Sequence, residues 1–157
     1  MKLNFFIIFF VLLLLLFGCK KNVTTLDSDD CSNQEDRIKK LKENVVCASE
    51  IYDAEFELFN VNGFANTRNM SVPGASSWNY KFVVKIDTSD IMKWLENFTE
   101  TKNVSTNLQS IIEITKIRKE HWKAISSPRY YIRPNDNDVF VVLFEKEGIL
   151  YKSVVNL

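Results

Sequence analysis

The chain is poor in the residues that most simple site chemistries need. Its 157 residues hold one histidine, three cysteines, four glycines and three prolines. A single imidazole leaves no second histidine for a zinc site, and the cysteines lack the short paired spacing of a structural zinc. There is no glycine-rich phosphate loop and no Gly-X-Ser-X-Gly nucleophile motif. His121 follows Lys119 and Glu120 on an expected helix. With no serine or cysteine partner legible beside it, it reads as a surface residue rather than a catalytic base. Basic and acidic residues balance at 20 each. Without a basic excess, nucleic acid is not an expected partner. Scarce glycine and proline argue against a disordered chain. No cofactor, metal ligand or catalytic residue is expected, and an enzyme is the less favoured class.

What is present begins at the first residue. Lys2 precedes an unbroken apolar run, Phe5–Phe17, and Gly18-Cys19 closes it. A charged start with a short apolar middle is the pattern of a secretory signal. The run is shorter than the ~20 apolar residues that span a bilayer. Lys20 and Lys21 follow it, so an uncleaved helix would tend to keep the remainder in the cytoplasm. Cleavage before Cys19 removes that conflict.

The ending Leu16-Phe17-Gly18-Cys19 resembles the lipobox of bacterial lipoproteins. Leu16 matches the aliphatic place and Gly18 the small residue before the cut. The resemblance implies that Cys19 becomes the first residue, takes a diacylglycerol on its thiol and is acylated on its amine. One chain holds a protein only marginally, at about 0.8 kcal/mol per buried methylene, whereas two or three hold it firmly. An aspartate after the cysteine tends to retain such proteins at the inner membrane. Lys20 stands there instead, which implies a lipid-anchored envelope protein at the outer membrane, facing the periplasm or the surface.

The expected organisation is a signal at 1–18, a lipidated cysteine and flexible tether at 19–31, and one globular domain at 32–157. A mature chain of about 140 residues suffices for one domain with a real core. Aromatic residues make up 13% of the chain, and much of that share remains after the signal is removed. Asn-X-Ser/Thr sequons at Asn22, Asn69, Asn97 and Asn103 keep a eukaryotic secreted glycoprotein open as an alternative. The lipobox outweighs them.

Cys31 and Cys47 remain after cleavage, and export favours their pairing. One continuous helix between them would hold them about 24 Å apart, against the about 5.5–6 Å of a disulfide. Bridge and long helix exclude each other, and both stay open at this point.

Patterning predicts an α+β fold: an antiparallel sheet of about five strands with two or three helices on one face. A helix is expected over 32–48, with Ser32 and Glu35 as a capping box and Ile38, Leu41 and Val45 as its stripe. The stretch 52–61 alternates: Tyr52, Ala54, Phe56 and Leu58 face inward, while Asp53, Glu55 and Glu57 form a wet face. Residues 63–77 read as a loop, which could cover a cleft. Strand 78–87 follows. Ile91, Trp94, Leu95 and Phe98 then mark a short helix capped from Thr88-Ser89-Asp90. A second helix is expected over 107–125. Strands at 129–133, 139–145 and 149–155 end the chain, the last two joined at Lys146-Glu147-Gly148. The apolar run Phe140–Phe144 suggests a strand covered on both faces.

Asn135-Asp136-Asn137-Asp138 lacks the glycine and distal glutamate of a calcium loop and reads as a turn. Tyr130 and Tyr131 cannot both face inward on one strand. An exposed tyrosine beside Arg129 and Arg133 suits a protein interface. The expected role is a non-catalytic, membrane-anchored module with a protein partner, for example an inhibitor or immunity-like protein that neutralises a toxin or lytic enzyme. The alternatives are a small-ligand or cell-wall-acting domain and a structural envelope component.

Overall fold

The computed structural model describes residues 23–64, 77–102 and 108–156. The architecture is α+β. One wholly antiparallel sheet has seven strands in the order β1-β2-β3-β7-β6-β5-β4. In chain order these are β1 (Thr25–Asp27), β2 (Ile51–Asn60), β3 (Trp78–Ile86), β4 (Thr99–Thr101), β5 (Arg129–Arg133), β6 (Asp136–Phe144) and β7 (Ile149–Asn156). Three α-helices are α1 (Gln34–Asn44), α2 (Ile91–Trp94) and α3 (Gln109–Thr115).

The five expected strands all form. The two that patterning missed are three-residue edge strands, too short to carry a period. One of them, β1, corrects the tether: Thr25–Asp27 joins the sheet, and Ser28–Asp30 follows as a 3-10 turn. The ordered domain therefore starts well before residue 32.

The helices are shorter than expected for identifiable reasons. α1 starts two residues past Ser32, because Asn33 is the cap: its side chain accepts from the Asp36 N–H at 2.9 Å. Asp36 in turn accepts from the Ser32 N–H at 3.2 Å. α2 stops after one turn, and Asn97 follows with φ +66. The expected helix 107–125 breaks. α3 ends at Thr115, whose hydroxyl donates to the Ile111 carbonyl at 2.7 Å, and Lys119–Trp122 forms a separate 3-10 turn.

Helical segments cover both faces of the sheet rather than one. On one face Leu41, Ile91, Trp94 and Leu95 pack on Phe56, Phe82, Val84, Val141, Leu143 and Leu150. On the other, Ile114 and Trp122 pack on Val83, Val142, Ile149 and Tyr151. Strand β6 feeds both layers, as its apolar run predicts. The β6–β7 connection depends on Gly148 at φ +60, where an added Cβ would stand 2.2 Å from the Ile86 carbonyl oxygen. Glycine alone fits that approach.

Candidate functional site

The alternation in β2 is real, but its polar face is not wet. Ala54, Phe56 and Leu58 are buried as expected, and so are Asp53 and Glu55. Tyr52 is exposed instead, since the β2–β3 register shifts between Ile51 and Asp53 and turns it outward. A period of two cannot distinguish a solvated acidic row from a paired one.

The pairing groups come from far along the chain. β1 spans only Thr25–Asp27, opposite Phe59, Leu58 and Glu57, so the first half of β2 has no strand on that side. Side chains of α1 fill the gap. Gln34 donates to the Tyr52 carbonyl, and the Arg37 Nε donates to the Ala54 carbonyl at 2.9 Å. An open edge is thereby satisfied without another strand. Arg37 also donates to the Asp53 Oδ1 at 2.6 Å. α1 fully buries only Arg37 and Leu41, so these polar ties carry much of its docking.

Arg118, just beyond α3, completes the cluster. Its Nε and one terminal nitrogen each approach a Glu55 carboxylate oxygen at 2.5 Å, and the same terminal nitrogen donates to Asp29 at 3.0 Å. This bidentate fork is the strong form of an ion pair. Hydrogen bonding to Glu55 is the main reason the Arg118 guanidinium titrates well above its ordinary value. The Trp122 indole N–H donates to the Glu55 Oε1 at 3.3 Å. His121 places its Nδ1 3.3 Å from the Asp53 Oδ2. The one histidine is thus exposed at its ring, as expected, yet leans on a buried acid that the sequence did not connect to it.

Chemically, this cluster is a clamp. Both Glu55 oxygens and the Asp53 Oδ1 accept from N–H donors, and the Asp53 Oδ2 faces the His121 ring. The network joins the turn after β1, α1, β2 and the turn after α3, and it spans 63 residues between Glu55 and Arg118.

Beside the clamp, on the same face, lies an apolar groove of about 240 Å³. Leu108, Ile111 and Ile112 form its rim, and Trp122, Phe144 and Ile149 form part of its floor. One rim residue and two isoleucines close in sequence to the lining residues Thr115 and Ala124 are open to solvent. Ile112 is 58% exposed, Ile117 59% and Ile125 97%. An exposed isoleucine on the rim of an apolar groove suits an interaction surface more than it suits packing.

The residues expected at an interface are used otherwise. Tyr131 is buried in the core, and Tyr130 is half-buried against the opposite layer. Neither projects, because both sheet faces are covered there. Arg129 is held by Glu100 at 2.6 Å and by Glu145 at 2.9 Å, and these hydrogen bonds raise its titration point. Arg133 lies 3.4 Å from Asp136 and stacks over Phe98, which Lys152 also faces. Burial, then the charge of Arg133, pushes the Lys152 ammonium below its usual range.

Cys31 and Cys47 are free thiols at opposite ends of α1. Eleven helical residues lie between them, about 16 Å of rise, so the bridge does not form in this fold. Burial pushes both thiols upward, the reverse of what an activated nucleophile needs. Cys19 and the sequons at Asn22, Asn69 and Asn103 lie outside the described residues, as does most of the 63–77 loop with its expected cleft. Asn97 is exposed. Among the described residues, no group of three or more His, Cys, Asp or Glu could hold a metal ion. Among the same residues, no helix is long and apolar enough to cross a membrane. No family model, no curated protein and no solved structure matches this chain.

Proposed function

We propose that the chain is a lipid-anchored envelope protein that binds another protein through the apolar groove beside α3. Ile112, 58% exposed on the rim of that groove, carries the reading. Water-exposed apolar area of this kind gains free energy when a partner covers it, at roughly 25 cal/mol per Å². The clamp supports the reading mechanically, since it fixes the turns on which Ile117 and the Trp122 floor are carried. Cleavage before Cys19 and acylation of that residue would tie the domain to a membrane, with Lys20 favouring the outer membrane. An inhibitor or immunity-like role fits a small domain whose buried carboxylates are all occupied.

The test is crosslinking pull-down from envelope extracts with the wild-type chain and with Ile112→Glu. A discrete partner captured by the wild type and lost in the variant, with unchanged circular dichroism, is expected. Equal capture by both chains would remove the groove from the account.

A further inference from the structure

Cys19 precedes Val23, the first described residue, by four positions. Such a segment reaches at most about 14 Å when fully drawn out. Val23 is already fastened to the domain: its carbonyl accepts from the Phe64 N–H at 2.9 Å, and the Thr24 carbonyl accepts from the Asn60 N–H at 2.9 Å. The point at which the chain leaves for Cys19 is therefore one corner of the sheet. That corner comprises the start of β1, the end of β2 and the start of β3, with Asn60 paired to Trp78.

The corner has the composition of an interfacial surface. Val23 is 48% exposed, Phe59 39% and Val61 44%. Phe64 and Trp78 are half-buried beside them, and the Phe64 ring lies 6.1 Å from that of Tyr80. Thr24, Asn60 and Asn62 supply the polar atoms between, and none of these residues is charged. The nearest strand charges lie one step inward, where Glu57 sits between Asp27 on one side and Lys81 on the other. The β5–β6 turn, with Arg133 and Asp136, bounds the patch two strands beyond β3. Tryptophan and tyrosine favour the level of the headgroups. Lys20 and Lys21, which follow Cys19 in the sequence, are drawn to anionic lipid.

We infer that this corner rests on the bilayer, with Val23, Phe59, Val61 and Trp78 at the headgroup level of a phospholipid surface. The inference depends on the acylation of Cys19 proposed above, because the short tether is what places a bilayer there. It sets the orientation of the domain. Ile149, part of the floor of the apolar groove, pairs with Lys85, seven residues along β3 from Trp78, or about 23 Å. The groove is held away from the membrane and turned to solvent, where a partner can reach it.

The experiment uses full-length protein purified from cell envelopes and reconstituted into phosphatidylethanolamine–phosphatidylglycerol vesicles doped with dibrominated phosphatidylcholine. Mass spectrometry first reads the state of Cys19. For acylated protein, bromine is expected to quench part of the tryptophan emission. Trp78→Phe should abolish that loss, since Trp94 and Trp122 are buried in the core layers. A Val23→Asp/Val61→Asp protein retains Trp78, lies outside the core, and should show restored emission. Acylated, vesicle-bound protein whose emission bromine leaves unchanged would overturn the orientation while leaving the anchor intact. So would burial of the same corner in a dimer, seen as quenching that Val61→Asp abolishes together with self-association in detergent. An unacylated Cys19 would overturn anchor and orientation together.

Discussion

Replacing Arg118 with methionine tests whether the clamp organises the fold. The Glu55 side chain is wholly inaccessible, and Arg118 is 20% exposed. Methionine keeps much of the volume and removes both 2.5 Å contacts. Removing one partner of a buried pair costs about 3–5 kcal/mol, because the remaining charge loses its compensation. Two features favour the low end here: the partial exposure of Arg118, and Arg37, whose Nε remains 3.7 Å from Glu55. A loss of about 3 kcal/mol is expected, out of the 5–15 kcal/mol typical of a domain. With a urea slope of about 2 kcal/mol per molar, the midpoint should fall by about 1.5 M. The control is Glu55→Gln/Arg118→Met, which removes both charges and should recover much of the loss. A midpoint shift worth under about 1 kcal/mol, or a double variant no better than the single one, would refute the reasoning.

Two further perturbations address other parts of the structure. Gly148→Ala should lower stability by at least about 2 kcal/mol, combining left-handed backbone strain with a Cβ driven into the Ile86 carbonyl; urea unfolding reads it, and a neutral result would mean the hairpin is drawn wrongly. Glu147 is held down to about 2 by the Ser126 hydroxyl first and then by the Ile125 N–H. Its folded value lies below the ordinary 4.5, so its contribution is present above that pH and is lost as pH falls from about 4.5 towards about 2. Thermal unfolding across that window should be less pH-dependent in Glu147→Gln, and an unchanged slope would contradict the assignment.

Most of the sheet was legible because β2, β3, β5, β6 and β7 carry five or more residues of clear apolar patterning. Edge strands β1 and β4 were not legible, since Thr25-Leu26-Asp27 and Thr99-Glu100-Thr101 are too short to show a period. The 107–125 helix was misjudged because Ile111, Ile112, Ile114 and Ile117 keep a helical spacing across a segment that breaks at Thr115. The candidate surface was the least legible part. Asp53 and Glu55 look the same in sequence whether they meet water or arginine, and Arg118 reaches Glu55 only through the fold. Arg37 did carry a signal: it sits four residues before Leu41, on the buried side of α1. For the tyrosines at 130 and 131, alternation correctly put them on opposite faces. The expectation of an exposed ring failed because helical segments cover both faces of the sheet.

The account turns on Cys19. Intact mass spectrometry of the native protein, with fragmentation of its first peptide, is expected to show a chain beginning at Cys19 and carrying a thioether-linked diacylglycerol. A chain that retains Met1, or one whose first residue bears a bare thiol, would contradict it.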